Sequence, residues 1–180
     1  MTLPIARTRD EARLFLDLTP CACGSTDAEW KHGTGLVDGE LASRYYATCA
    51  DCGAERRHSF GLPPTETAGD FPNFGGREPS QLLDPGSWLQ LADELASRLP
   101  PDDPQASADA LTLAAAAVAE VIKFIPPGEN AVPEEAFWTE DGRRVHAAEP
   151  GRFRQDRLQI VLDTYRREAV TPEGPGIALG

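Results

Sequence analysis

Histidine and lysine are scarce in this 180-residue chain: three histidines (His32, His58, His146) and two lysines (Lys31, Lys123), against fifteen arginines. So few imidazoles leave little material for acid–base chemistry near neutral pH. His146, set among arginines and alanines, reads as a surface residue, and so does His58. There is no glycine-rich phosphate loop, no serine-centred elbow and no helical His-Glu-x-x-His. Those absences remove the common signatures of nucleotide binding, acyl transfer and zinc hydrolysis. The opening residues, Met1 to Arg7, show no basic segment followed by an apolar stretch, so no secretory signal is read. No apolar run reaches membrane-spanning length either. The expectation is a soluble, cytoplasmic protein in a reducing compartment, with no membrane partner.

Positive charge is also short. The net charge is −12, and it is unevenly spread. From Glu78 to Asp141 there are thirteen acids against Arg98 and Lys123, whereas Gly142 to Val170 carries seven arginines against four acids. Nucleic-acid affinity comes from neutralising phosphates, so such a chain makes a poor general nucleic-acid binder. An acidic surface can instead steer a basic partner, or simply be solvated.

What is present is a set of four cysteines in two tight pairs, Cys21-Ala22-Cys23-Gly24 and Cys49-Ala50-Asp51-Cys52-Gly53. Each pair runs into a glycine, which lets the backbone fold under a metal with both thiolates pointing the same way. A disulfide within Cys21-Ala22-Cys23 would be strained. Redox use of Cys49 and Cys52 would want a strand-to-helix setting and no second pair. Structural Zn2+ on Cys21, Cys23, Cys49 and Cys52 is the expectation, with the one-residue spacing of the first pair as its irregular feature. Four thiolates close a tetrahedron and leave no position for a catalytic water, although His32 or His58 would also serve as a ligand.

Between the pairs lie Glu29 to Val37, an Asp38-Gly39 hairpin turn, and Leu41 to Thr48, with a third strand from Ala54 to Phe60 after the second pair. Knuckle, strand, turn, strand, knuckle, strand resembles the zinc-ribbon family over residues 20–61. The resemblance implies the four cysteines as ligands and a three-stranded module, and it fixes no activity. The ribbon is followed in order by Asp84-Pro85-Gly86-x-Trp88-Leu89, Ile125-Pro126-Pro127-Gly128, Phe137-Trp138 and Tyr165-Arg166-Arg167, and over residues 12–168 this order resembles small actinobacterial proteins of the toxin-neutralising or accessory kind. The arginine-for-lysine bias is similar to that of proteins from GC-rich genomes.

The rest of the chain predicts an α+β protein: a short N-terminal helix and the ribbon (1–61), a Pro/Gly linker (62–79), an all-α bundle of about four helices (80–170) and a mobile tail (171–180). Thr8 and Glu11 form a capping box ahead of Ala12, Leu14, Phe15, Leu16 and Leu18. In the linker, Phe71 and Phe74 are expected to anchor to the core. Asp84-Pro85 and Asp103-Pro104 open two helices, the second running to Ile125 and apolar on most sides, hence central. Thr139 caps a short third helix to Ala148, and Arg152 to Ala169 forms a fourth with Phe153, Leu158, Val161, Leu162 and Tyr165 on one face. The paired acids Asp102-Asp103 and Glu134-Glu135 fit helix starts, and Phe137-Trp138 reads as core.

Three functions from different classes fit. The first is a non-enzymatic, immunity-type or accessory protein whose acidic helical face engages a basic protein. The second is a nucleic-acid- or transcription-associated ribbon using Arg44, Tyr45, Tyr46, Arg56, Arg57 and His58. The third is an accessory enzyme subunit with an anion held by Arg143, Arg144 and Arg152, although arginines balancing the acidic segment within the fold are the better explanation of those three.

Overall fold

The computed structural model describes residues 3–65 and 67–170, and the tail expectation for 171–180 lies outside the described residues. The chain forms two compact units, Met1–Leu83 and Asp84–Gly180. The first is helix plus sheet and the second is helical, so the fold is α+β in the order expected.

In the first unit, helix α1 (Arg9–Leu18) starts where Thr8 Oγ1 accepts the Glu11 amide N–H at 3.1 Å. Only half of the capping box forms. The Glu11 carboxylate turns instead to Arg7, accepting from its backbone N at 2.7 Å, its Nε at 3.0 Å and its Nη2 at 2.7 Å, and both residues are buried. Strands β1 (Lys31–Val37), β2 (Glu40–Thr48) and β3 (Glu55–Gly61) form an antiparallel sheet in the order β1-β2-β3. Asp38 (φ 51°) and Gly39 (φ 86°) make a left-handed two-residue turn, the type whose twist matches paired strands. Helix α1 lies against one face of the sheet, with the Phe15 ring 5.7 Å from Phe60 and 5.9 Å from His58.

The segment after the ribbon packs into this unit through Phe74, which is buried, while Phe71 is 72% exposed. One of the two expected anchors is therefore not an anchor. The loop is held by polar bonds from Asn73 to the start of α1, and these leave Phe71 outside.

The second unit holds α2 (Pro85–Ser97), α3 (Pro104–Ile122), α4 (Glu140–Ala148) and α5 (Gln155–Glu168). Helix α3 packs on both α2 and α5, and α4 packs on α2. By length and composition α3 is apolar enough to cross a membrane, which departs from the reading that no run reaches that measure. In this fold its Leu111, Ala114, Ala117, Val118 and Val121 are core residues. Its α-helical part stops at Ile122 and tighter turns carry the chain through Ile125 to Pro126. Helix α5 begins three residues later than the apolar pattern suggests, because Pro150–Phe153 forms its own 3-10 turn and Arg154 is extended.

Candidate metal centre

The two knuckles are built alike. In the first, Cys21 N–H donates to Ser25 O at 2.7 Å and Gly24 N–H to Cys21 O at 2.8 Å. In the second, Cys49 N–H donates to Ala54 O at 2.9 Å and Gly53 N–H to Cys49 O at 3.0 Å. Both turns close on a left-handed glycine, Gly24 (φ 90°) and Gly53 (φ 71°), a conformation that costs a side-chain-bearing residue energy. The first loop is one residue shorter, and the tighter closure absorbs the shortened cysteine spacing. Ala50 N–H donates to Asp27 O at 3.2 Å, and Ala28 bridges Cys49, which ties one knuckle to the other.

These turns bring all four sulfurs within 4.8 Å of one another. Cys21 Sγ lies 3.6 Å from Cys52 Sγ, and Cys23 Sγ lies 3.6 Å from Cys49 Sγ, far longer than a disulfide bond. A zinc–thiolate tetrahedron has sulfur–sulfur edges of about 3.8 Å, given bonds near 2.3 Å, so the cluster fits such an ion. Each pair gives one buried residue, Cys21 and Cys49, and one exposed residue, Cys23 and Cys52.

The thiols are electrostatically split. The Cys52 N–H, followed by the Asp51 N–H and the neighbouring thiols, draws Cys49 down to about 6 against the opposing effect of desolvation. Although the Ala54 N–H favours its thiolate, Cys52 is pushed up to about 12 by the Cys23, Cys49 and Cys21 sulfurs. One anion among four sulfurs discourages the next, and a cation at the centre relieves that repulsion.

Neither His32 nor His58 belongs to the sulfur cluster. His32 sits 4.8 Å from the Tyr45 ring, and His58 is half-buried between Phe15 and Trp30 rather than on the surface. His146 is likewise no free surface group, since its ring stacks on Phe137 at 4.3 Å. Of the pair Phe137-Trp138, Phe137 is buried and Trp138 is exposed.

The basic and aromatic ribbon residues divide between the two faces of the sheet. Tyr45, Arg56 and His58 point to the α1 side, where Arg56 lies 4.7 Å over the Trp30 ring and donates to Thr19 O. Arg44, Tyr46 and Arg57 take the opposite side, because neighbours along a strand alternate.

The three arginines of the helical unit do not converge. Arg143 donates to the Phe137 and Trp138 carbonyls, Arg144 pairs with Asp141 at 2.5 Å, and Arg152 makes a two-pronged pair with Asp93 at 2.6 and 2.9 Å. That last hydrogen bond is the main reason the Arg152 guanidinium holds its proton above the usual range.

Asp84 has a structural role that its place in the sequence only half shows. Its N-cap role is legible, but it also accepts from Thr139 N and Oγ1 at 2.9 and 2.7 Å, fifty-five residues along the chain. No family model, curated protein or solved structure matches this chain. The ribbon resemblance therefore rests on the sulfur geometry and the strand order.

Proposed function

We propose that the protein is a non-enzymatic binding protein: zinc on Cys21, Cys23, Cys49 and Cys52 stabilises the first unit, and the helical unit presents an acidic surface to a basic protein, as an immunity-type or accessory protein would. The sorting of acids carries this reading. Asp84 and Glu120 are buried and bonded within the fold, whereas Asp102, Glu129, Glu134, Glu135 and Glu140 are exposed and enter no ion pair among the described residues. Unneutralised surface carboxylates attract a cationic partner and set its approach rate.

The test uses the full chain and a variant with Glu129, Glu134, Glu135 and Glu140 changed to glutamine. Each is used to capture partners from the cells of origin at low and raised salt, and captured proteins are re-tested in purified form. The proposal expects basic proteins that bind the native chain, release with salt and fail on the variant. Partners indifferent to both changes overturn it.

A second reading has one observation in its favour. The strand register sets Lys31, Tyr46 and Arg57 in a single cross-strand row, with the Arg44 guanidinium 5.2 Å over the Tyr46 ring. A base stacked on Tyr46 would find cations on both sides. Fluorescence anisotropy with single-stranded oligonucleotides at low salt tests it, and an unchanged signal ends it.

A further inference from the structure

On the α1 side of the sheet, a cleft of about 460 Å³ opens between β1, β2, the start of α1 and the loop that follows the ribbon. Its walls are tied together rather than loosely apposed. Thr8 Oγ1 donates to Asn73 O at 2.5 Å, the Asn73 N–H donates to Asp10 Oδ2 at 2.9 Å, and Asn73 Nδ2 donates to Thr67 O at 2.9 Å. The loop is thus pinned over the helix start, and Asp10 is engaged in holding it.

Beside apolar Leu62 and Pro63 and the engaged Asp10, several side chains that line the cleft are donors. Tyr45 is 95% buried, with 5% of its surface exposed, yet it lines the cleft and its hydroxyl has no hydrogen-bond partner among the described residues. The hydroxyl keeps contact with solvent there, so a ligand entering the cleft can take the place of that water. Arg9 lines the same space and forms no ion pair among the described residues. Thr34 and Ser43, cross-strand neighbours, add two hydroxyls, and His32 lies beside the Tyr45 ring. Burial, the larger effect, raises the Tyr45 phenol above its ordinary value while the charges of Arg9 and Arg13 pull the other way, so the phenol stays a proton donor at neutral pH.

We infer that this cleft is a binding site for a small oxyanion-bearing ligand, a phosphate or carboxylate compound, held by the Arg9 guanidinium and the Tyr45, Ser43 and Thr34 hydroxyls. One guanidinium with several hydroxyl donors around a space of this size matches the way proteins hold small anions. The site shares no residue with the cysteine cluster or with the acids of the helical unit, and it stands or falls independently of the partner proposed above.

The experiment is a heteronuclear NMR titration of the metal-loaded full chain with inorganic phosphate, then citrate, with glucose as an uncharged control. Saturable shifts centred on Arg9, Thr34, Ser43 and Tyr45 are expected with phosphate or citrate, and the stronger of the two identifies the oxyanion type. Arg9→Gln lies at the exposed rim and leaves the core intact, and it is expected to weaken binding about tenfold. Tyr45→Phe keeps the ring packing, and with an unchanged melting temperature it should weaken binding about fivefold. Shifts scattered over other arginines, or saturable binding that Arg9→Gln and Tyr45→Phe leave unaltered, overturn the inference. So does an absence of saturable shifts with both anions, or glucose binding as well as they do.

Discussion

Asp84 shows how much one side chain can hold. Each of its carboxylate oxygens accepts two bonds: Oδ1 from Ser87 N and Oγ, and Oδ2 from Thr139 N and Oγ1. Thr139 in turn accepts the Gly142 N–H at 2.8 Å, so one buried acid caps α2 directly and α4 through its cap. Gly142 must be glycine, because a Cβ there would stand 2.1 Å from Asp84 Oδ2. Asp84→Ala strands four donors, and chemical denaturation of the second unit should register a loss of about 3 kcal/mol. Gly142→Ala is expected to cost at least about 2 kcal/mol by forcing the two helix starts apart. If it is tolerated, the close approach of the two helix starts does not exist.

His58 offers a second residue-scale outcome. Burial, and then the charge of Arg56, lowers its pKa in the folded protein below the ordinary value. The unfolded chain therefore takes up the proton first, so the stability this residue contributes is full above about pH 6.5 and declines as the pH falls below that. His58→Phe should flatten the pH dependence of the first unit's melting between about pH 7 and 5 relative to the native chain. Equal slopes for both proteins would remove His58 as a contributor.

At the scale of elements, the ribbon and the helices owe their order to different causes. The sheet is three short strands with one helix across it, and its large buried side chains are few, among them Leu16, Trp30, Tyr45, Phe60 and Phe74. So small a core gains from a metal cross-link, and in the proposal above binding and folding are one event for this unit. One zinc per chain is expected by elemental analysis, and a strong chelator should abolish the sheet's dispersed amide signals. Cys49→Ser should do the same at lower chelator concentration. The helical unit, with Trp88, Leu89, Val118, Val121, Phe153 and Leu158 buried, should keep its helical circular dichroism throughout. Simultaneous loss of both units on chelation would mean that the metal holds more than the ribbon.

The reach of sequence reading is also visible at this scale. Asp38-Gly39, the capping aspartates before Pro85 and Pro104, and the two glycine-closed knuckles are local signals, and each element formed where those residues pointed. Phe71 and Phe74, three residues apart in one Pro/Gly stretch, are indistinguishable in the sequence, because nothing local says which ring the loop turns inward. The cluster Arg44 to His58 looked like one patch only because strand alternation, which separates its members, acts through a register set by pairing.

For the whole molecule, charge is the property with consequences. A net charge of −12 with several unpaired surface acids on the helical unit predicts association that is steep in salt. Complex formation with the proposed basic partner should weaken several-fold between about 50 and 300 mM salt, mainly through a slower on-rate, as surface plasmon resonance would read it. An on-rate flat across that range would argue that the acids serve solubility alone.

Four cysteines in two glycine-closed pairs, the hairpin turn and the helix starts were determined by sequence, since each depends on residues within a few positions of one another. Tertiary structure decided the rest: that the sulfurs meet within 4.8 Å, that Asp84 reaches Thr139, that three promising arginines disperse to separate partners, and that Arg9 and Tyr45 share a cleft. The reason is physical. Backbone geometry is governed by near neighbours, whereas the company a side chain keeps is governed by which faces the fold buries against one another.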